Sequence, residues 1–248
     1  MIMKKIYERP KSLTDRGLAF CPGCLHGVAT RLIAELLDEM DQRTNAVAVL
    51  AVGCGTLGMF HFNTDVVVSP HGRTPAVATG AKRAAPGKLV FSYQGDGDLA
   101  AIGMAEIMHA ANRGENFTVV FINNSTYGMT GGQMAPTTLV GQKATTAPEG
   151  RNPAEAGYPM KMCEILSQLE APKYIARFAL DCPANILKAK KGIRKAFEMQ
   201  MAGKGFTFVE LLSNCPTNWG MPALECLDWM RENTMKVFPL GVFRDGEA

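Results

Sequence analysis

The chain has 248 residues, 47% hydrophobic and 20% charged, which is an ordinary composition for a globular protein with a buried core. Its net charge of +3 is too balanced for a nucleic-acid-binding surface, and no apolar run approaches the roughly 18 residues that span a bilayer. Residues 1–10 are charged and lack the apolar stretch of a signal peptide. We therefore expect a cytoplasmic protein without nucleic-acid or membrane partners, whose cysteines bind a metal or cluster rather than form disulfides.

Short apolar runs alternate with longer helical patterns along the chain. In chain order they predict a helix at 27–40, strands at 46–52 and 88–93, a helix at 99–111, a strand at 117–122, a helix at 160–169, a strand at 174–179, a helix at 184–201 and a strand at 206–212. The strand candidates are continuously apolar, which is typical of strands buried on both faces of a parallel sheet. The pattern predicts a single α/β domain over residues 1–248, with an open, mostly parallel sheet and helices on both faces.

Residues 125–158 interrupt this alternation. They are rich in Gly, Thr, Pro and Met and show little periodicity. A loop this long inside a compact domain is usually either functional or disordered. Its glycine-rich start, directly after a predicted strand, favours a function.

The segment Gly95-Asp96-Gly97-Asp98 follows the strand predicted at 88–93. Open α/β sheets bind ligands at the carboxyl ends of their strands, and glycines there let backbone N–H groups at a helix N-terminus approach a phosphate. A carboxylate among phosphate-binding groups is repulsive unless it holds a cation. Asp96 is therefore interpreted as a Mg²⁺ ligand that bridges to phosphate oxygens.

A second polar pair, Asn123-Asn124, follows the next predicted strand. One helix and one strand separate it from Asp96, so both motifs return to the same edge of the sheet. Asn124 can supply a side-chain oxygen to the same ion, and Thr126 can supply its backbone carbonyl. Each motif by itself is a common turn, but the two together, at this spacing, favour a site for Mg²⁺ and a diphosphate.

Four cysteines are placed to meet at that edge. Cys21 and Cys24 form a CxxC pair, Cys54 follows the strand predicted at 46–52, and Cys215 follows the strand predicted at 206–212. Four such thiolates suit either zinc or an iron–sulfur cluster, and spacing cannot exclude zinc. Zinc ligands usually come as two close pairs, however, and this set contains one.

The other three cysteines have weaker claims. Cys182 also follows a predicted strand and is the alternative to Cys215 as the fourth ligand. Cys163 and Cys226 fall within helical patterns and are interpreted as small core residues.

The paired polar motifs resemble the diphosphate-binding motif of thiamine-diphosphate enzymes, Gly-Asp-Gly followed by Asn-Asn. The segment Tyr127-Gly128-Met129-Thr130-Gly131-Gly132-Gln133 is similar to the one that follows this motif in β subunits of 2-oxoacid:ferredoxin oxidoreductases, and the likeness extends from Cys21 to Trp219. The resemblance implies the thiamine-diphosphate-binding fold, specifically its diphosphate-binding domain.

The resemblance also implies the cofactors and their ligands. Mg²⁺ is expected on Asp96, Asn124 and Thr126, and a [4Fe–4S] cluster is expected on Cys21, Cys24, Cys54 and Cys215. The residues expected around the cofactors are Gly53, Cys54, Gly55, Thr56, His71, Gly95, Asp96, Gly97, Asp98, Asn124, Thr126, Tyr127, Gly128, Met129 and Thr130.

His71 and Arg73 stand in a loop between a strand and a helical pattern. The resembling family has a His-Gly-Arg near the cofactor at this place, so we interpret both as catalytic candidates; the alternative is that they only pin the loop. His26 has the same two interpretations. His109, inside a predicted helix, is interpreted as structural.

The implied activity is the oxidative decarboxylation of a 2-oxoacid with coenzyme A, giving an acyl-CoA and CO₂ and reducing ferredoxin. In this family the chain is inactive by itself. It is expected to need an α subunit with the pyrimidine-binding domain, together with γ and ferredoxin-like δ subunits or free ferredoxin, in a hetero-oligomer built on a dimer of αβ units.

The substrate is predicted from the residues that follow Cys54. Residues 55–60 contain no Lys or Arg that could pair with a second carboxylate, which favours a branched-chain 2-oxoacid such as 2-oxoisovalerate. The segments Met129–Thr138 and Asn214–Trp219 also resemble the 2-oxoisovalerate type of this family most. Arg73, Lys143 or Arg151 could still bind a second carboxylate of the substrate, so 2-oxoglutarate is the alternative. Two different functions also fit the motifs: a non-redox thiamine-dependent decarboxylase component with structural cysteines, and a non-catalytic nucleotide-binding module.

Overall fold

A computed structural model describes residues 8–246 of the chain. Within these residues one sheet contains seven strands: β1 Ala46–Leu50, β2 Asp65–Val68, β3 Leu89–Gly95, β4 Thr118–Asn123, β7 Tyr174–Ala179, β8 Thr207–Leu212 and β9 Gly241–Asp245. Two further short strands, β5 Thr126–Tyr127 and β6 Gln133–Met134, form a separate antiparallel pair.

The strands lie in the order β2-β1-β3-β4-β8-β7-β9. Every neighbouring pair is parallel except β7 and β9, which are antiparallel. This confirms the predicted open, mostly parallel sheet.

Helices cover both faces of the sheet. The α-helices are α1 His26–Glu39, α2 Thr74–Ala84, α3 Met104–Asn112, α4 Pro153–Ala156, α5 Met162–Ser167, α6 Pro183–Met201, α7 Pro216–Trp219, α8 Ala223–Trp229 and α9 Met235–Val237. α1 and α6 pack on one face, whereas α2, α3 and α5 pack on the other. Across residues 8–246, no helix is long and apolar enough to cross a membrane.

The continuous apolar runs of the central strands follow from this two-sided packing. All six residues of β4 are buried. Val120 and Ile122 join the core beneath α1 and α6, and Val119 and Phe121 join the core beneath α2 and α3. Because successive side chains point to opposite faces, a strand covered on both faces is apolar at nearly every position.

The helix predicted at 99–111 forms as two pieces. A π-helical turn at Gly97–Ile102 precedes α3, and Gly103 separates them. A Cβ atom on Gly103 would lie 2.7 Å from the carbonyl oxygen of Asp98 and 2.8 Å from that of Gly72. The loop that contains Gly72 thus packs directly against the π-helical turn, and π-turns of this kind occur frequently at functional sites.

The chain path creates a crevice between β1 and β3. After β1 the chain moves outward to β2 and then returns to the other side of β1 as β3. Ligands bind at such points of reversal, outside the carboxyl ends of the strands. The loops after β1, β3, β4 and β8 all emerge at this edge, because these strands are parallel.

Both outer strands were missed by the sequence prediction. β2 and β9 are only partly buried, and their apolar runs are limited to the three residues 66–68 and the two residues 242–243. In β2, Val67 is 40% exposed and Val68 is 46% exposed at the outer edge of the sheet.

Candidate functional site

A cleft opens at the carboxyl ends of β1, β3 and β4. The described residues that line it are His26, Val52, Gly53, Cys54, Gly55, His71, Gly95, Asp96, Gly97, Asp98, Asn124, Thr126, Tyr127, Gly128, Met129 and Thr130. The structure therefore brings together every residue predicted around the cofactors except Thr56, whose hydroxyl donates to the carbonyl of Ala51. His26 and Val52 are additions to the predicted set.

Asp96 lies at the base of the cleft with 2% of its surface exposed. Its Oδ2 accepts hydrogen bonds from Thr137 Oγ1 at 2.7 Å and from the Thr126 N–H at 3.2 Å, while its Oδ1 accepts from the Gly97 N–H at 2.9 Å. Burial raises the pKa of Asp96 to about 7, although these hydrogen bonds act in the opposite direction. A divalent cation beside Asp96 would stabilise the ionised carboxylate, so the site fits the predicted Mg²⁺.

Asn124 faces the same point as Asp96. The Thr126 N–H also donates to Asn124 Oδ1, at 3.4 Å, so one backbone donor holds both side-chain oxygens together. Ser125, which lies between Asn124 and Thr126, has a φ of 56°, a left-handed conformation that non-glycine residues rarely adopt. Trp219 Nε1 fixes the loop from outside by donating to the Asn124 carbonyl at 3.2 Å.

His71 is held in the cleft by Asp98. The Asp98 Oδ1 atom lies 2.7 Å from His71 Nδ1 and accepts the Gly72 N–H at 2.7 Å. Arg73, in contrast, is half exposed, pairs with Glu106 and is not among the described residues that line the cleft.

The four cysteines predicted to bind a cluster line one cavity. Its described lining is Ala19, Phe20, Cys21, Cys24, Cys54, Leu57, Asn124, Gly128, Met129, Gly131, Cys215, Pro216, Thr217 and Asn218. Cys182 is not part of this lining; it precedes α6. Cys163 and Cys226 are buried, as predicted for core residues.

Burial and mutual repulsion act on these thiols. Burial raises the pKa of Cys24 to about 11 and that of Cys54 to about 12, and the neighbouring cysteines raise both further. The Asn218 side chain donates to Cys215 Sγ at 3.2 Å. Burial thus favours the neutral thiols, and a positively charged group bound among them, such as a metal cluster, would be needed to hold them as thiolates.

Among residues 8–246, no three His, Cys, Asp or Glu side chains are close enough to hold one metal ion. The expected Mg²⁺ ligands are one carboxylate, one amide and one carbonyl, which form no such group of three.

Gly128 lies where the cleft and the cysteine cavity meet. A Cβ atom on Gly128 would lie 3.1 Å from Cys54 Sγ, 3.6 Å from Cys215 Sγ and 3.7 Å from Asn124 Nδ2. The cleft and the cavity share Cys54, Asn124, Gly128 and Met129 in their walls.

Arg151 has a structural role in the long loop. Its guanidinium group donates to six backbone carbonyls, at distances of 2.8 to 3.2 Å, those of Ala135, Pro136, Thr138, Ala156, Gly157 and Tyr158. Arg151 is buried and lies outside the described lining of the cleft. It is therefore not available to pair with a substrate carboxylate.

Three residues at the site had no signal in the sequence. Thr137 lies in an irregular loop, whereas Asn218 and Trp219 lie in the short helix α7. Their contacts with Asp96, Cys215 and Asn124 depend on tertiary packing.

In this mostly parallel sheet a glycine-flanked carboxylate follows one strand, and a loop that carries an amide follows the next. Residues 46–211 match the family described as thiamine pyrophosphate enzyme, C-terminal TPP binding domain.

Relatives narrow this assignment. The chain is 46% identical to the ketoisovalerate oxidoreductase subunit VorA of Methanothermobacter thermautotrophicus, over 99% of the chain and 54% of that relative. It is 37% identical to the 2-oxoglutarate synthase subunit KorB of Methanocaldococcus jannaschii, over 87% of the chain and 78% of that relative. The chain thus belongs to the thiamine pyrophosphate enzymes and, within them, to the subunits of 2-oxoacid:ferredoxin oxidoreductases.

A solved structure agrees with this assignment. The 2-oxoglutarate:ferredoxin oxidoreductase from Magnetococcus marinus, with 2-oxoglutarate, coenzyme A and succinyl-CoA bound, superposes with a TM-score of 0.81 at 26% identity. The match covers 99% of this chain and 87% of that one. The chain nevertheless spans only about half the length of the VorA relatives, 54% of the one from Methanothermobacter thermautotrophicus and 51% of the one from Methanothermobacter marburgensis.

Proposed function

We propose that this chain is the thiamine-diphosphate-binding subunit of an enzyme that converts 2-oxoisovalerate, or a similar branched-chain 2-oxoacid, and coenzyme A to the acyl-CoA and CO₂ with reduction of ferredoxin. One observation carries the proposal: the cleft and the four-cysteine cavity share Cys54, Asn124, Gly128 and Met129. A group bound in the cleft would therefore be next to an electron acceptor bound in the cavity.

Asp96, Asn124 and the carbonyl of Thr126 would hold Mg²⁺, and the backbone around Gly95 and Gly97 would approach the diphosphate. Support comes from the shared Thr126 N–H, which keeps the Asp96 and Asn124 oxygens side by side. When bound, thiamine diphosphate supplies the carbon nucleophile that permits a 2-oxoacid to lose CO₂. Asp96 and Asn124 act by fixing the phosphate end of the cofactor.

Cys21, Cys24, Cys54 and Cys215 would bind the [4Fe–4S] cluster. Their common cavity supports this set over one that includes Cys182. Asn218 would donate a hydrogen bond to the Cys215 sulfur, a contact that tunes the reduction potential of iron–sulfur clusters.

The lining of the cleft supports an apolar substrate. No Lys or Arg is among the described residues that form it, whereas Val52 and Met129 present apolar surface there. Arg151 is committed to backbone carbonyls, and Lys143 lines a different pocket, beside Trp219 and Trp229. These contacts weaken the case for 2-oxoglutarate as the substrate.

The pyrimidine end of thiamine diphosphate would bind to a separate α subunit. Electrons would leave through a ferredoxin-like δ subunit or free ferredoxin, and a γ subunit would complete an assembly built on a dimer of αβ units. The names of the relatives, which are subunits of oxidoreductases, support partners of this kind.

The test is anaerobic co-purification of the full chain with its native partners, followed by dye reduction with a panel of 2-oxoacids and coenzyme A. We expect brown protein, one thiamine diphosphate per chain and the highest kcat/KM with 2-oxoisovalerate. Colourless protein with stoichiometric zinc would refute the cluster assignment. A higher kcat/KM with 2-oxoglutarate than with 2-oxoisovalerate would overturn the substrate assignment. Aldehyde release without dye reduction would favour a non-redox decarboxylase.

A further inference from the structure

Asp98 is buried and surrounded by hydrogen-bond donors. Its Oδ1 accepts the Gly72 N–H, and its Oδ2 accepts from Gln94 Nε2 at 2.8 Å and from Thr74 Oγ1 at 3.3 Å. The remaining partner is His71 Nδ1, 2.7 Å from Oδ1. Asp98 belongs to the Gly-Asp-Gly-Asp segment, but both oxygens of its carboxylate are hydrogen-bonded to protein groups.

These contacts determine which nitrogen of His71 carries a proton. Oδ1 already accepts the Gly72 N–H, and Oδ2 faces the Gln94 amide, so Asp98 acts as an acceptor throughout. The His71–Asp98 hydrogen bond then requires the proton to be on Nδ1. In neutral His71 the other nitrogen, Nε2, is left with a lone pair.

Nε2 of His71 is the ring nitrogen that remains able to interact with a molecule bound in the cleft. His71 lines the cleft together with Asp96 and Tyr127, and no hydrogen bond to Nε2 occurs within residues 8–246. The side chain is 33% exposed, so a proton taken up there can pass on to water.

We propose that His71 accepts a substrate proton at Nε2 and that Asp98 is the positioning residue that fixes this tautomer. The inference rests on the proposed function for the identity of the substrate. In this step the S–H bond of coenzyme A breaks, an N–H bond forms at Nε2, the electron pair stays on sulfur as a thiolate, and Asp98 balances the resulting imidazolium charge. An ionised carboxylate on the far nitrogen both orients a histidine and stabilises its charged form.

The tautomer can be measured directly, without cofactor or substrate. The chain has four histidines, so a ¹⁵N-histidine-labelled sample gives few ring signals, and His71→Gln assigns the one that matters. We expect a protonated Nδ1 and an unprotonated Nε2 for His71 at a pH where the ring is neutral. A proton on Nε2 with a bare Nδ1 would overturn the proposal even if no variant of Asp98 folded.

Substitutions of Asp98 separate its acceptor role from its charge. Asp98→Asn can keep an oxygen toward His71 and Gly72, because Gln94 Oε1 has no hydrogen bond and can accept from the new amide after a flip. We therefore expect Asp98→Asn to retain the Nδ1–H form and Asp98→Ala to shift His71 toward the Nε2–H form. Glu106→Gln, which removes the partner of neighbouring Arg73, is the control and should leave the tautomer unchanged.

Turnover tests the proton transfer itself. In the co-purified complex, His71→Ala should lower kcat by about 100-fold with thiamine diphosphate binding unchanged, and Asp98→Asn should cause a smaller loss. An unchanged kcat in His71→Ala would overturn the role of His71. If the wild-type complex reduced no dye with any 2-oxoacid, the proposed function would fail, and the tautomer measurement would still decide the role of Asp98.

Discussion

Asp96 and Asn124 accept from the same backbone N–H, that of Thr126, and this sharing makes the pair a candidate cation site. We expect Asp96→Asn to weaken binding of thiamine diphosphate with Mg²⁺ by at least about 100-fold, because the substitution removes the anionic ligand. Isothermal titration calorimetry measures the change. Asp65→Asn, at an exposed carboxylate on β2, is the matched control and should bind as the wild type does.

Two serine substitutions would identify the fourth ligand of the proposed cluster. Cys215→Ser should lower the iron and sulfide bound per chain, because Cys215 lines the cavity with Cys21, Cys24 and Cys54. Cys182→Ser should leave both contents unchanged. Anaerobic iron and sulfide analysis of the two variants distinguishes the two ligands, and the reverse pattern would assign the cluster to Cys182.

Between the cleft and the cysteine cavity there is too little space at position 128 for a side chain larger than that of glycine. Gly128→Ala would bring a methyl group to 3.1 Å from Cys54 Sγ, closer than ordinary van der Waals contact. We expect reduced cluster content and weaker visible absorption in this variant. Gly80→Ala, where a Cβ atom meets nothing within 4 Å, should be indistinguishable from wild type.

At the scale of elements, the long loop between β4 and β7 is organised around Arg151. Arg151→Lys cannot reach the six carbonyls that the guanidinium group satisfies. Each unsatisfied buried carbonyl costs about 1–3 kcal/mol, and partial rescue by water should leave a net loss of about 2–5 kcal/mol. Urea unfolding measures this loss, and limited proteolysis should cleave within residues 135–158. Lys143→Ala, on the same loop, should leave both unchanged.

The buried central strands and the long helices were predictable because their periodicity is strong. The strand predicted at 174–179 matches β7, and the helix predicted at 184–201 differs from α6 by one residue. The edge strands β2 and β9 were not predicted, because their apolar runs are only three and two residues long. The break at Gly103 was missed as well, because the close approach of the distant residue Gly72 at this point has no periodic signal.

The same distinction applies to the site. Asp96, Asn124 and Cys54 follow strands, so their convergence could be predicted from the parallel topology. Whether Asp98 faced a phosphate or His71 could not be predicted, since that depends on the direction of one side chain. The roles of Thr137 and Asn218 likewise depend on tertiary packing, which has no periodic signal.

For the whole molecule, ligand binding should stabilise the fold. A ligand at 100 times its Kd stabilises the native state by about 2.7 kcal/mol, and each kcal/mol raises Tm by roughly 2–4 °C in a chain of this size. We expect thiamine diphosphate with Mg²⁺ to raise Tm by about 5–10 °C in scanning calorimetry. EDTA should abolish the increase, and thiamine without its diphosphate should not produce it. An increase that survives EDTA would contradict the role of Asp96.

The two ends of the sheet differ in how they terminate. At one end the antiparallel strand β9 pairs with β7, whereas at the other end β2 exposes Val67 and Val68 beside backbone groups that pair with β1 on one side only. An exposed apolar edge of this kind is a template for strand addition by another chain. When the chain is produced by itself, self-association and insolubility should begin at this edge, and Val67→Lys should reduce both.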